Sequence, residues 1–190
     1  MEAAEGRRHV RLVTYRGSED IPLLCSLIER DLSEPYSTYT YRYFLDSWPQ
    51  FGLLAMESTT SGASKTAEGE VRDECIGCVV CKLDRSRHGV LRGYIAMLAV
   101  RHDRRQSGLG TLLVETVLMK MHESGCEEVV LEAELSNRGA LALYEKLGFV
   151  RDKLLEKYYL NGSSAYRLKL KMNRRSDSML FADMDEDAYT

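Results

Sequence analysis

Arg105, Gln106, Ser107, Gly108, Leu109, Gly110 and Thr111 form the stretch best equipped for chemistry. It follows a long apolar run, Tyr94 to Val100, and opens a helix-patterned segment, Leu109 to Glu123. Two glycines keep Cβ atoms away from a short basic loop, so backbone N–H groups can converge on one concavity. The helix adds its orphan N–H groups and the positive end of its dipole. Strand, loop and helix together predict an anion cradle suited to a diphosphate. Three polar residues follow it in the chain. Glu132 sits near the C-terminal end of a strand pattern. Asn137 and Tyr144 share one face of a helix pattern, two turns apart.

These side chains need a scaffold. The 190 residues suit one domain with a single substantial core. An apolar fraction of 44% and a charged fraction of 29% are ordinary for a soluble globular chain. A formal charge of −3 gives no whole-surface attraction to nucleic acid or membrane. The charged start, Met1 to Arg8, lacks an apolar signal region, and no run approaches roughly 18 apolar residues. A cytoplasmic location is expected. Cys25, Cys75, Cys78, Cys81 and Cys126 outline no disulfide framework. Cys75, Cys78 and Cys81 are spaced by three in a strand-like run, so alternation sends them to different faces and no metal site is expected.

Taken in order, Val10 to Tyr15 alternate as a first strand. Ser18 can cap a helix with Pro22 in its first turn, and Ile21, Leu24, Leu27, Ile28 and Leu32 trace one face. Pro35 stops that helix, and a second runs from Ser37 to Ser47. Phe51 to Met56 is strand-like. Glu57 to Glu74 has no hydrophobic period and reads as a disordered insertion at a hairpin tip. Strands follow at Cys75 to Leu83 and Val90 to Val100. In the next helix Leu109, Leu112, Leu113, Thr116, Val117 and Met121 are expected to be buried. A strand from Glu127 to Leu135, a helix to Leu147, and strands at Phe149 to Leu155 and Ala165 to Met172 complete the domain. The expected fold class is a mixed α/β layout over residues 10–172, between a charged tail (1–9) and a polar, acidic tail (173–190).

Arg-x-x-Gly-x-Gly after a long apolar strand, followed by Asn-x-x-Ala-x-x-Leu-Tyr-x-x-x-Gly-Phe at Asn137 to Phe149, resembles the GNAT acetyltransferase superfamily. Asp31 to Tyr36, Tyr94 to Val100, Glu128 to Glu132 and Tyr158 to Gly162 look like the catalytic-subunit family of the NatC N-terminal acetyltransferase. The resemblance implies a central, mostly antiparallel twisted sheet with a splayed strand pair and flanking helices. It implies acetyl-CoA as co-substrate, its pyrophosphate on Arg105 to Thr111 and its pantetheine arm along Leu98, Ala99 and Val100. Asn137 would contact the arm, cap its helix, or do both.

The implied reaction is acetyl transfer to the α-amine of a nascent chain, Met followed by a bulky apolar residue, by direct attack in a ternary complex. Glu132 is the implied base, working through water; its plain alternative is a solvated strand carboxylate. Tyr144 is the implied acid or hydrogen-bond donor near the sulfur; its alternative is a core aromatic. A backbone N–H near Leu98 would stabilise the developing oxyanion. Leu32, Glu34, Pro35 and Tyr36, with Met97, Tyr158 and Tyr159, would line the peptide entrance. Auxiliary subunits and the ribosome are the implied partners. Arg7, Arg8 and Arg104 read as solvated charge, not a nucleic-acid patch. The rival readings are transfer to internal lysine or small amines, and a non-catalytic acyl-CoA-binding module.

Overall fold

The computed structural model describes residues 8–31, 36–60 and 71–172. Seven strands form one sheet among them: β1 (Arg8–Thr14), β2 (Gly52–Thr60), β3 (Val71–Arg85), β4 (Leu91–Val100), β5 (Glu128–Glu134), β6 (Val150–Leu155) and β7 (Ala165–Lys171). Their order across the sheet is β1-β2-β3-β4-β5-β7-β6. Every neighbouring pair is antiparallel except β4 and β5. Four α-helices flank it: α1 (Ile21–Asp31), α2 (Thr38–Ser47), α3 (Leu109–Glu123) and α4 (Arg138–Lys146). The expected mixed layout and its central, mostly antiparallel sheet are as found.

Strand alternation builds a core on each face of the sheet. Leu24 and Ile28 of α1 and Tyr41 and Leu45 of α2 pack with Leu54, Cys78, Val80 and Met97. On the opposite face, Leu113, Val117 and Met121 of α3 and Leu141 of α4 pack with Leu53, Cys81, Ile95 and Leu131. Local chemistry starts the shorter helices. Ser37 Oγ accepts the Thr40 N–H at the head of α2, and Asn137 Oδ1 accepts the Ala140 N–H at the head of α4.

Two β-bulges alter the expected parity. The register slips between Ala55 and Met56 opposite β3, and between Val80 and Cys81 opposite β4. Ile76 and Ala96 are the extra residues. Cys75 and Cys78 therefore lie against one core and Cys81 in the other, a division that strict alternation does not give. The Ala96 bulge likewise sends Ile95 to the α3 side and Met97 to the α1 side.

Four expectations are corrected. The stretch from Glu57 to Glu74 is not wholly an insertion: Glu57 to Thr60 and Val71 to Glu74 are paired strand. Their mixed polar composition hides a ribbon held by backbone bonds, flanked by β1 as far as Thr59, and only residues 61–70 of the stretch lie outside the described residues. The first strand begins at Arg8, inside the expected tail. Ser18 sits in a turn ahead of α1 and does not cap it. There Asp20, with its side chain only 1% exposed, accepts the Arg16 backbone N–H at 2.9 Å and its guanidinium at 2.5 Å. Leu112 is 38% exposed and Thr116 only part-buried, because Val114 and Leu118 complete the buried stripe of α3.

Candidate active site

Strands β4 and β5 pair over only three residues, Arg92 to Tyr94 against Glu128 to Val130. Beyond that they part, while β4 stays bonded to β3 as far as Val100 and β5 to β7 as far as Glu134. The β5-facing edge of β4 is left without a strand partner. A cleft of about 560 Å³ fills the gap. Met97, Leu98, Arg105, Glu132, Asn137, Tyr144, Tyr36, Tyr158 and Tyr159 all line it. Residues from six separate parts of the chain thus meet at the splay. Leu32, Glu34 and Pro35 lie outside the described residues. Ala99 and Val100 continue the open edge of β4 towards the cradle.

The cradle begins where β4 ends. Arg105 Nε donates to the Val100 carbonyl at 3.1 Å, and Ser107 Oγ donates to the Arg104 carbonyl at 2.6 Å. Gln106 and Gly108 have φ of 61° and 83°, which turns the chain sharply into α3. Leu112 N–H is the first to bond within the helix, to Gly108. The preceding amides of Leu109, Gly110 and Thr111 are the orphan donors of the first turn. The two glycines serve different ends. A Cβ at Gly108 would meet nothing within 4 Å, so the space above the loop is open. A Cβ at Gly110 would meet Leu143 Cδ1 at 2.9 Å, so Gly110 admits α4 against α3. Arg104 is not solvated charge. Its guanidinium donates to both oxygens of Glu57, at 3.0 and 2.8 Å, and the Glu57 side chain is only 6% exposed.

Glu132 stands at the fork with its side chain 5% exposed. Tyr94 Oη donates to one carboxylate oxygen at 2.8 Å, and Arg167 donates to the other at 2.8 Å through both Nε and Nη2. It is a buried, doubly held carboxylate, not a solvated one. Burial, reinforced by the Glu132 charge, pushes the Tyr94 phenol far above its usual range, so it stays a donor. Tyr144 packs edge-on to Phe149 at 5.5 Å while lining the cleft. Burial raises its phenol far above neutrality as well. It is therefore a core aromatic that also borders the cleft. Tyr158 and Tyr159 meet edge-on at 5.1 Å, and both line the cleft with Tyr36. Burial pushes the Cys75 thiol up to about 11 and that of Cys81 well above its usual value, which keeps both protonated and poorly nucleophilic.

A splayed parallel pair, an anion loop at the head of α3 and a buried carboxylate at the fork together narrow the fold, and comparison with known proteins agrees. The acetyltransferase (GNAT) family model matches residues 21–149. The chain belongs to the GNAT acetyltransferase family. N-alpha-acetyltransferase 30 of Homo sapiens is 51% identical over 163 residues, covering 86% of this chain and 41% of that protein. N-alpha-acetyltransferase MAK3 of Arabidopsis thaliana is 47% identical over 161 residues, covering 85% of this chain and 77% of that protein. The chain spans about half the length of the vertebrate relatives it matches. A solved structure described as the NatC complex bound to Gag peptide and CoA superposes with a TM-score of 0.74 at 40% identity, covering 87% of this chain and 99% of that one.

Within this GNAT site, two residues escaped the sequence reading. Along the chain Tyr94 reads only as part of an apolar run, although its hydroxyl reaches Glu132. Arg167 lies directly opposite Glu132 in the β5–β7 register. An acid facing a base across antiparallel strands is a readable signal once the register is known. Asn137 keeps its capping bond while its side chain borders the cleft, so the two readings of this residue are compatible.

Proposed function

We propose that this chain transfers acetyl from acetyl-CoA to the N-terminal α-amine of polypeptides that begin with Met and a bulky apolar residue. The observation that carries the reading is the buried Glu132 carboxylate at the fork, between the open edge of β4 and the rim of Tyr36, Tyr158 and Tyr159. The relatives named N-alpha-acetyltransferase support it.

The site fits acetyl-CoA in two respects. The space above Gly108 is open, as a pyrophosphate on the first-turn amides of α3 requires. The unpaired edge of β4 offers N–H and C=O groups from Leu98 to Val100 for an extended pantetheine arm. Bound there, acetyl-CoA supplies an activated acyl group. The chain's own residues then do three things. Glu132 accepts the proton of the α-ammonium, whose pKa is about 8, through water. A backbone N–H near Leu98 stabilises the charge that grows on the carbonyl oxygen. Tyr144 donates a hydrogen bond or a proton towards the departing sulfur. Leu32, Glu34, Pro35, Tyr36, Met97, Tyr158 and Tyr159 hold the first two residues of the peptide. Auxiliary subunits, ribosomal nascent chains as substrate and a cytoplasmic setting complete the proposal; the likeness to a chain of the NatC complex supports the first of these.

The test is acetylation of a peptide panel varying the first two residues, with internal lysines as competitors. Met-Leu-type N-termini should be preferred, and a preference for internal lysine would refute the reading. Glu132→Gln should lower kcat by about 10² or more and Tyr144→Phe by about tenfold or more, with acetyl-CoA still bound. Retained binding with unchanged turnover in both variants would remove the acid–base assignment.

A further inference from the structure

A second hollow, of about 350 Å³, opens beside the first. Tyr94, Glu132 and Tyr158 line both, so the two join at the catalytic carboxylate. No cradle residue lines the second, nor does Asn137 or Tyr144. It is floored by Arg92 of β4, Val130 of β5 and Arg167 of β7, on the sheet face turned away from α3. A peptide whose amine reaches Glu132 has this hollow as its polar continuation on the side away from the cradle.

Its walls carry more positive than negative charge. Lys82, Arg85, Arg92 and Arg167 line it, against Asp84 and Glu132. Two of the cations are already neutralised, Arg92 by Glu128 at 2.5 Å and Arg167 by Glu132 at 2.8 Å. Lys82 is different. Its ammonium lies 5.7, 5.8 and 6.0 Å from the rings of Tyr43, Trp48 and Tyr94, and it has no carboxylate partner among the described residues. Three rings at cation–π distance attract the ammonium without cancelling its charge. The Ser86 hydroxyl, which also lines the hollow, is buried and has no hydrogen-bond partner among the described residues. A cation held without a carboxylate partner is the complement of an acidic side chain.

We propose that this hollow is a subsite for an acidic side chain at the third or fourth residue of the acetylated peptide. The proposal rests on the N-terminal acetyltransferase reading above. Reach supports the position. From the Glu132 carboxylate across the Tyr94 ring to the Lys82 ammonium is at most on the order of 12 Å, which an extended chain covers in about three to four residues.

The experiment is steady-state acetylation by the full chain of Met-Leu peptides carrying Asp, Glu, Ala or Lys at the third and fourth residues. Acidic peptides should show kcat/KM about two- to fivefold above the alanine peptides, as one partly exposed ion pair gives, and the gain should lie in KM. The gain should shrink at high ionic strength. In Lys82→Met the acidic-to-alanine ratio should fall to about one. A purely structural defect would lower both peptides together and leave that ratio standing. Should Lys82→Met fail to fold, Arg85→Gln on the exposed rim puts the same ratio to the test. Equal rates for all four side chains in the unmodified chain, or a ratio that survives the substitution, overturns the subsite alone. No transfer to any of these N-termini overturns both the subsite and the function it rests on.

Discussion

A carboxylate as buried as Glu132 has to be held, and its two holders set what the residue can do. Tyr94 occupies one oxygen and Arg167 the other. Arg167→Met leaves a buried charge short of its cation. The expected loss of stability is about 1–3 kcal/mol, less than for a fully buried pair because the guanidinium is 39% exposed. Combined with Glu132→Gln the loss should be smaller than the sum of the two, which urea midpoints of the four proteins in the cycle would show. A second residue links stability to pH. The hydrogen bond from Arg16 holds the Asp20 carboxyl below its usual range despite burial. A depressed folded-state pKa means that the stabilisation is full above the unfolded value, about 3.9, and is lost as pH falls through the folded value. Asp20→Asn should therefore be less stable than the parent at pH 7. It should also lose less on going to pH 3, as denaturant titrations at the two pH values would show.

At the scale of elements, the loop before α3 and the two helices after it divide the labour of the two glycines. Gly108→Ala places a side chain at φ 83° with open space around it. The strain, about 1–2 kcal/mol, falls on the cradle, so the Kd for acetyl-CoA should rise roughly five- to thirtyfold in a calorimetric titration while kcat changes little. Gly110→Ala instead pushes against Leu143, the neighbour of Tyr144. It should separate α3 from α4 and lower kcat more than it weakens binding. The same loop is gripped from below by the ion pair of Arg104 with Glu57. Glu57→Gln removes the more buried of two carboxylates on Arg104 and leaves Asp103, so acetyl-CoA binding should weaken by only a few-fold, less than the about 1.5–3 kcal/mol that a charged hydrogen bond is worth.

For the molecule as a whole, one sheet carries both halves of the site because two of its strands separate part-way along. β3 and β7 keep β4 and β5 fixed on their outer sides, so the gap between them is held open by the rest of the sheet. The β2–β3 ribbon extends this frame to Thr60 and Val71, which are paired. Replacing residues 61–70 by a short turn should leave the melting temperature and acetyl-transfer rate close to those of the parent. Removing 57–74 should not, because it takes Glu57 away from the cradle; the two deletions compared by thermal melting and acetyl-CoA titration decide between these outcomes.

Much of this was readable along the chain. Period-two and helical patterns marked the strands and helices, because burial against a sheet imposes those periods on neighbouring residues. Gly108 and Asn137 announced a cradle and a cap, because turns and caps act within a few residues of themselves. The GNAT motifs pointed to the family, and the NatC resemblance singled out Glu132 and Tyr144 as the acid–base pair proposed above. Three things were decided only by the tertiary structure. The bulges at Ile76 and Ala96 set which side chains face which core, and a bulge exists only relative to a partner strand. The partners of Glu132 and Glu57 stand 35 and 47 residues away, too far for any local period to join. The splay of β4 from β5 depends on where pairing stops, which neither strand encodes alone. Sequence by itself determined most of the elements, the glycine loop ahead of α3 and, through its motifs, the family, since these rest on short-range periodicity, turn geometry and local motifs. The fold decided which charges meet and where the sheet opens, since those depend on register and on contacts between distant parts of the chain.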